Sequence, residues 1–280
     1  MGRVFTFDEI QTDTIPRRRD FPVLVDIIRD ELGQSLIVPG AVIYGSVLRG
    51  DYSIRSDVDV LMLYEPGREG EIVDLQQWLQ DKAKSLAIPL QLIAVDADMA
   101  KAGDHRLPPM CLEHLGRAAS HGFIKKNPLD YIQPLPITYH RDLQQYLTGK
   151  RDAFNHALGC LRVMSEERRA DVLGKALSFP VYVARKMLQY ANPTVFEDDR
   201  GDGKALVLSH YPSLGIDCSS EILAQMQQLN VTYDVALSHQ RDTLNRRSYE
   251  MSLLLLECAL YLAFEFAKIN LVALRTLKQG

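Results

Sequence analysis

The chain has 280 residues, of which 46% are apolar and 24% are charged, and its formal net charge is −4. This composition is ordinary for a globular protein and excludes a disordered or fibrous chain. The length predicts two domains, each with its own core. Residues 1–140 carry 15 Lys and Arg against 20 Asp and Glu. This excess of acidic residues argues against a protein that binds a long nucleic acid mainly through contacts with the nucleic acid's phosphates.

The four cysteines are widely scattered, at Cys111, Cys160, Cys218 and Cys258. This spacing does not suit a Cys-x-x-Cys metal site, and four residues are too few for the disulfide framework of a secreted protein. Reduced thiols in a cytoplasmic protein are therefore the prediction. The most apolar segment, residues 253–266, contains Glu257 and Glu265, so a buried helix is predicted there rather than a membrane span.

The first elements alternate between helix and strand. A helical repeat of apolar residues predicts a helix over residues 20–32, with Gly33 as its end, and an apolar run predicts a buried strand over 36–44. A short helix beginning at Ser46, a strand over 58–64, a helix over 71–86 and a strand over 88–95 follow. Trp78 lies on the apolar stripe of the helix over 71–86, so it is predicted to anchor the core rather than to stack on a base.

The stretch from Gly45 to Val60 contains the residues that predict chemistry. Gly45 ends a strand and Ser46 begins a helix, and free backbone N–H groups at such a turn can hold a triphosphate. Asp57 and Asp59 are two residues apart at the start of the next strand, so their side chains share one face. Two carboxylates on one face suit Mg²⁺, which takes a few carboxylate oxygens together with phosphates and water.

Glycine-serine followed by serine-aspartate-x-aspartate resembles the nucleotidyltransferase superfamily, which includes polymerase beta and the aminoglycoside nucleotidyltransferases. The resemblance implies an α+β fold with a small mixed sheet. It also implies that Asp57 and Asp59 are catalytic residues that bind Mg²⁺. Gly45, Ser46 and Ser56 would then bind ATP or another nucleoside triphosphate.

Gln91 departs from the family's pattern. Aminoglycoside relatives carry a carboxylate on the third strand, often after Pro-Leu, and here Pro89-Leu90 is followed by Gln91. An amide cannot accept the proton that a general base takes. Asp96 and Asp98 are predicted to lie beyond the strand and to be poor replacements. Three alternatives stay open: a base from the helical domain, loss of the proton to water or metal-bound hydroxide, or nucleotide binding with poor turnover.

Helical patterns fill the remainder of the chain, so residues 1–137 are predicted to form the catalytic domain and residues 138–280 an all-helical substrate-binding domain without an obvious exposed apolar face. The resemblance implies that this second domain receives the acceptor. It also implies that a lysine of this domain, Lys204, lies near the triphosphate.

Two functions follow as expectations. The first is an enzyme that transfers a nucleoside monophosphate, AMP from ATP, to a hydroxyl of a small, aminoglycoside-like molecule. The second is a regulator of toxin–antitoxin type that binds nucleotide or nucleotidylates a macromolecule. Two full domains favour the first. The sequence does not determine the acceptor, the base of the nucleotide or the oligomeric state.

Overall fold

The computed structural model describes residues 2–116, 122–196, 203–239 and 245–278. These residues form two compact units. The sheet unit comprises residues 15–116, 122–139 and 203, and the helical unit comprises residues 2–14, 140–196, 204–239 and 245–278. The sequence places the domain boundary after residue 137, whereas the structure divides the chain after residue 139 and adds residues 2–14 to the helical unit.

The sheet unit contains a four-stranded mixed sheet, so the predicted α+β fold is confirmed. The strand order is β3-β2-β1-β4, in which β1 is antiparallel to β2 and β4, and β2 is parallel to β3. The elements of this unit are α2 (Asp20–Gln34), β1 (Gly40–Tyr44), α3 (Ser46–Arg49), β2 (Val58–Tyr64), α4 (Glu69–Ser85), β3 (Leu90–Asp96), α5 (Ala97–Ala102), α6 (Pro109–Gly116) and β4 (Phe123–Lys125).

Strand alternation divides the core of the sheet unit into two layers. On one face Val58, Val60 and Met62 of β2 pack with apolar residues of α2 and α4. On the other face Leu61 and Leu63 pack with residues of α5, α6 and their flanking loops. Asp59 lies two residues before Leu61, so its side chain points to the second face. It is close to the start of β2, where the apolar residues of that face stop.

Several details of the sheet unit differ from the sequence predictions. The buried strand predicted over residues 36–44 begins only at Gly40, and Leu36 is 88% exposed. Helix α2 continues through Gly33 to Gln34, and Ser35 ends it. Gly33 is not among the glycines with positive φ, so it continues the helix and does not mark a turn. Trp78 is 39% exposed and does not anchor the core. The Lys82 ammonium lies 5.1 Å from its ring centroid, which is the arrangement of a surface cation–π pair.

The helical unit contains α1 (Phe7–Gln11), α7 (Tyr139–Cys160), α8 (Glu166–Ala191), α9 (Lys204–His210), α10 (Ser219–His239) and α11 (Arg246–Ala273). Short 3-10 turns connect several of them, and no strand occurs among the residues described in this unit. Helix α8 is the central element, since α9, α10 and α11 all contact it. In the described part of the chain, no helix combines the length and hydrophobicity that crossing a membrane requires.

An N-terminal strap, defined as residues 2–7, binds across the helices of this unit. The Phe5 N–H donates to the Tyr233 hydroxyl (3.0 Å), and the Tyr249 hydroxyl donates to the Phe5 carbonyl oxygen (3.0 Å). The Phe7 N–H donates to the Glu166 carboxylate (2.7 Å). Buried backbone groups need partners of this kind, and these contacts explain why the first residues belong to the helical unit.

The helical unit does expose apolar side chains, which contradicts the expectation from the sequence. On α11, Met251, Leu254 and Tyr261 are 57%, 54% and 55% exposed. The sequence did not indicate this exposure because α11 is apolar on two faces. The other face, formed by Leu253, Leu256 and Leu260, is buried.

Candidate functional site

The site is built on one row of residues that crosses three strands. In the parallel pair β2 and β3, Asp59 is the register partner of Gln91, and in the antiparallel pair β1 and β2, Asp59 is the partner of Tyr44. Register partners point to the same face of a sheet, and neighbouring strands lie about 4.8 Å apart. The structure therefore brings Gln91 beside Asp59, with Tyr44 on the other side. The predicted part of Gln91 in the chemistry stays a prediction.

Gly45 follows directly after β1 and lies against the Asp59 carboxylate. A Cβ built on Gly45 would lie 2.4 Å from Asp59 Oδ2, and the residue has φ of 84°. Both the steric contact and the backbone angle exclude other residues here. Ser46 then begins α3. The glycine and serine of the motif thus adjoin the second carboxylate of the motif.

A tight turn holds the loop before β2. The Ser53 N–H donates to Ser56 Oγ (3.1 Å), and the Ser56 N–H donates back to the Ser53 carbonyl oxygen (3.0 Å). The Arg55 N–H donates to Ser53 Oγ (3.2 Å), and Arg55 itself is buried. Ser56 therefore shapes the turn that delivers Asp57 to the start of β2. Its predicted part in nucleotide binding stays a prediction.

The first carboxylate of the motif acts on the second. Burial, and secondly the nearby charge of Asp57, raise the pKa of Asp59 to about 7. The Arg49 guanidinium acts in the opposite direction on the same carboxyl. A buried carboxyl with a raised pKa beside a second carboxylate forms a site that gains by binding a cation.

Asp96 and Asp98 do not join this row. Asp96 is the last residue of β3 and lies on the opposite face from Gln91. The prediction that Asp96 lies beyond the strand is therefore wrong: β3 begins at Leu90, two residues later than predicted, and ends one residue later. Its Oδ1 accepts the N–H groups of Asp98 (2.8 Å) and Met99 (2.9 Å), which caps α5. Asp98 is exposed and pairs with Lys101 at 3.7 Å. Both were predicted to be poor replacements for the missing carboxylate, and their positions in the structure are consistent with that prediction.

The residues present suit Mg²⁺ held jointly with a nucleotide. Among the described residues there is no cluster of three or more His, Cys, Asp or Glu side chains that would hold a metal ion by itself. Asp57 and Asp59 supply two carboxylates, and Gly45 leaves the space beside Asp59 Oδ2 open. Mg²⁺ usually binds through one or two carboxylates, with phosphate oxygens and water completing its shell.

Residues 25–97 match the family model of the nucleotidyltransferase domain. This segment is a nucleotidyltransferase domain. It runs from within α2 to the start of α5 and so contains Gly45, Ser46, Asp57, Asp59 and Gln91. Together with the small mixed sheet and the helical region that follows, it fits the polymerase beta-like fold. No curated protein matches the sequence.

Two residues of this nucleotidyltransferase domain lie in the site although the sequence did not single them out. Tyr44 is 5% exposed in the row beside Asp59. Arg49 ends α3, and its Nε lies 3.3 Å from Asp51 Oδ1. Arg49 stands one helical turn after Ser46 within the motif itself, which is a signal that the sequence offered. The position of Tyr44 beside Asp59 depends on the register of β1 and β2. Nothing in the sequence indicated that register.

Lys204 begins α9 of the helical unit, and the structure assigns it to a different unit from Asp57 and Asp59. It directly follows Gly203, which belongs to the sheet unit. A Cβ built on Gly203 would lie 3.9 Å from Asp51 Oδ2. The predicted contact of Lys204 with the triphosphate stays a prediction.

Proposed function

We propose that the protein transfers a nucleoside monophosphate from a nucleoside triphosphate, AMP from ATP, to a hydroxyl of a small molecule that resembles an aminoglycoside. The observation that carries this proposal is the contact of Gly45 with Asp59 inside a nucleotidyltransferase domain. This contact places Gly45 and Ser46, which would bind the phosphates, next to Asp59, which would bind the metal ion.

In this proposal each part of the motif has its own task. Gly45 and Ser46 hold the β and γ phosphates through backbone N–H groups and the serine hydroxyl, with Ser56 contributing from the turn. Asp57 and Asp59 would hold one or two Mg²⁺ ions. The bound ion would neutralise the charge that develops on the transferred phosphoryl group and on pyrophosphate.

The acceptor hydroxyl attacks the α-phosphorus in line with the departing pyrophosphate. The hydroxyl must lose a proton, and the neutral amide of Gln91 cannot take it. The register that pairs Gln91 with Asp59 therefore supports the alternative function as well. In that alternative the protein is a regulator that binds nucleotide, or nucleotidylates a macromolecule, with weak turnover of small molecules.

We further propose that the protein works in the cytoplasm. All four cysteines, Cys111, Cys160, Cys218 and Cys258, are free thiols in the structure. Free thiols persist in a reducing compartment.

The test is nucleotide turnover by the purified protein with Mg²⁺, measured as pyrophosphate release from each nucleoside triphosphate in the presence of metabolite and aminoglycoside pools. Asp57→Ala and Asp59→Ala should each lower transfer at least about 100-fold, because each removes a ligand that stabilises transition-state charge. Asp98→Ala is the matched control, since it removes an exposed carboxylate of the same domain. Wild-type Mg²⁺ and ATP affinity together with wild-type turnover in Asp59→Ala would sink the proposal.

A further inference from the structure

A groove opens on the sheet unit, on the face of the sheet that α2 and α4 cover. Its volume is about 470 Å³, and it is lined by the last turn of α2, the loop that follows and the first turns of α4. This volume is typical of small-molecule sites. Asp59 points to the opposite face of the sheet, so the groove is separate from the candidate nucleotidyltransferase site.

Part of the groove wall is apolar and aromatic. Leu36 and Trp78 both line it, and they are 88% and 39% exposed. Scattered apolar side chains on a surface are ordinary, but these two belong to one concave surface. The Trp78 ring already attracts a cation, since the Lys82 ammonium lies 5.1 Å from its centroid.

The polar part of the wall is acidic. Glu31, Glu71 and Asp74 line the groove together with one cation, Arg68. The Arg68 Nε lies 3.1 Å from Glu71 Oε1, so these two charges neutralise each other. Glu31 and Asp74 make no ion pair with any residue that the structure describes. The groove therefore carries two uncompensated negative charges beside an exposed aromatic ring.

These features select an organic cation rather than a metal ion. Over the described ranges of the chain, no group of three or more His, Cys, Asp or Glu side chains could hold a metal ion. A hydrated metal ion would also gain nothing from the apolar wall, whereas an alkylammonium ion contacts both the ring and the carboxylates. From Arg68 to Trp78 the groove follows α4 for about 15 Å at 1.5 Å per residue.

We infer that this groove binds a small alkyl polyamine, whose ammonium groups contact Glu31 and Asp74 and whose hydrocarbon chain lies on Trp78 and Leu36. A groove of this length would hold only about four residues of an extended peptide, so it fits a small molecule better than a protein segment. Every contact is exposed and therefore modest, so we expect a dissociation constant of about 10 μM to 1 mM.

The fluorescence of Trp78 tests this inference directly, because the chain contains a single tryptophan. Titration of the full-length protein with spermidine from about 1 μM to 10 mM should give a saturable change. Octanediol supplies the hydrocarbon without charge, and ammonium chloride supplies the charge without hydrocarbon, so neither should saturate in this range. Raising NaCl from about 50 to 300 mM should weaken spermidine binding, since salt screens exposed charges.

Variants of the two unpaired carboxylates locate the contact. Glu31→Gln combined with Asp74→Asn should raise the dissociation constant at least about threefold, because two exposed charge contacts are lost. Asp26→Asn combined with Asp98→Asn is the matched control, since it removes the same charge from exposed positions of the sheet unit outside the groove. This control should bind spermidine as the wild type does. Melting curves by circular dichroism confirm that each variant is folded.

Arg68→Gln gives a prediction of opposite sign. It removes the cation of the groove and leaves Glu71 for the ligand, so it should lower the dissociation constant about twofold to fivefold. Four results would each overturn the inference: no saturable change up to about 10 mM spermidine, wild-type affinity in the double carboxylate variant, weaker binding in Arg68→Gln, or saturable binding of a pentaarginine peptide but not of spermidine.

Discussion

At the scale of single residues, the contact between Gly45 and the Asp59 carboxylate governs the candidate site. Asp59 sits where the apolar row of β2 ends, with Leu61 and Leu63 behind it. Its carboxyl therefore loses hydration in the folded protein, and Asp57 adds a like charge nearby. Without a bound cation the arrangement is unfavourable for folding, as functional sites often are.

This arrangement predicts a pH dependence of stability in EDTA. Asp59 has a pKa of about 7 in the folded protein against 3.8 as the ordinary value. Between these values the folded state holds a proton that the unfolded state has released, so the free energy of unfolding falls as pH rises from 4 to 7. Asp59→Asn removes this loss and should stabilise the protein at pH 8 by on the order of 2 to 4 kcal/mol.

The measurement is urea unfolding of the wild type and Asp59→Asn at a series of pH values. The two proteins should differ little near pH 4 and most above pH 7. Asp98→Asn, an exposed carboxylate in the same unit, should follow the wild type. Parallel curves for wild type and Asp59→Asn would show that the Asp59 carboxyl is not desolvated.

Gln91 allows a second prediction at this scale. Its register with Asp59 and its exposure leave room for a carboxylate of nearly the same size. Gln91→Glu should raise the transfer rate with Mg²⁺, since general-base help contributes about 10²- to 10⁴-fold. It should also enlarge the rise in melting temperature on adding Mg²⁺, because a third carboxylate adds repulsion that the cation relieves. Gln228→Glu on α10 controls for the added charge alone. If Gln91→Glu has the transfer rate of the wild type and the same rise in melting temperature on adding Mg²⁺, Gln91 is not part of the site.

At the scale of elements, helix α8 shows how one helix accommodates the N-terminal strap. A Cβ built on Gly174 would lie 2.7 Å from the Gly2 carbonyl oxygen and 3.0 Å from the Val4 nitrogen. A glycine inside a helix costs about 0.5 to 1 kcal/mol relative to alanine. Its presence inside α8 is explained by the close approach of the strap backbone.

The prediction is that the same substitution has opposite effects in two helices. Gly174→Ala should lower the free energy of unfolding by about 1 to 3 kcal/mol, because the new methyl group displaces the strap. Gly149→Ala in α7 should raise it by about 0.5 to 1 kcal/mol, since nothing lies within 4 Å of a Cβ there. Urea unfolding of both variants is the measurement. Equal stabilisation by the two substitutions would mean that the strap does not bind against α8.

At the scale of the whole molecule, Lys204 tests whether the helical unit takes part in nucleotide binding. If Lys204 contacts the triphosphate, Lys204→Ala should raise the KM for the nucleotide by about tenfold, because a charge-assisted contact contributes about 1.5 to 3 kcal/mol. Lys278→Ala, an exposed lysine near the end of the same unit, is the control for the loss of one positive charge. A KM equal to that of the wild type assigns Lys204 to the protein surface.

The sequence by itself determined those features that depend on neighbours along the chain. Strand alternation put Asp57 and Asp59 on one face, and a glycine at a strand end with a serine at a helix start predicted the turn between β1 and α3. The alternation of helix and strand up to residue 96 and the all-helical remainder were readable for the same reason. Periodicity is a local property, and tertiary packing did not override it in these segments.

Only the tertiary structure decided the features that depend on contacts between distant residues. Strand register, which pairs Gln91 and Tyr44 with Asp59, is set by packing across the sheet, and a shift of one residue would reverse every side chain. The docking of residues 2–7 on the helical unit is likewise non-local. On α11 both faces are apolar, so the sequence could not say which one the other helices cover; packing buried Leu253, Leu256 and Leu260 and left Met251, Leu254 and Tyr261 in solvent.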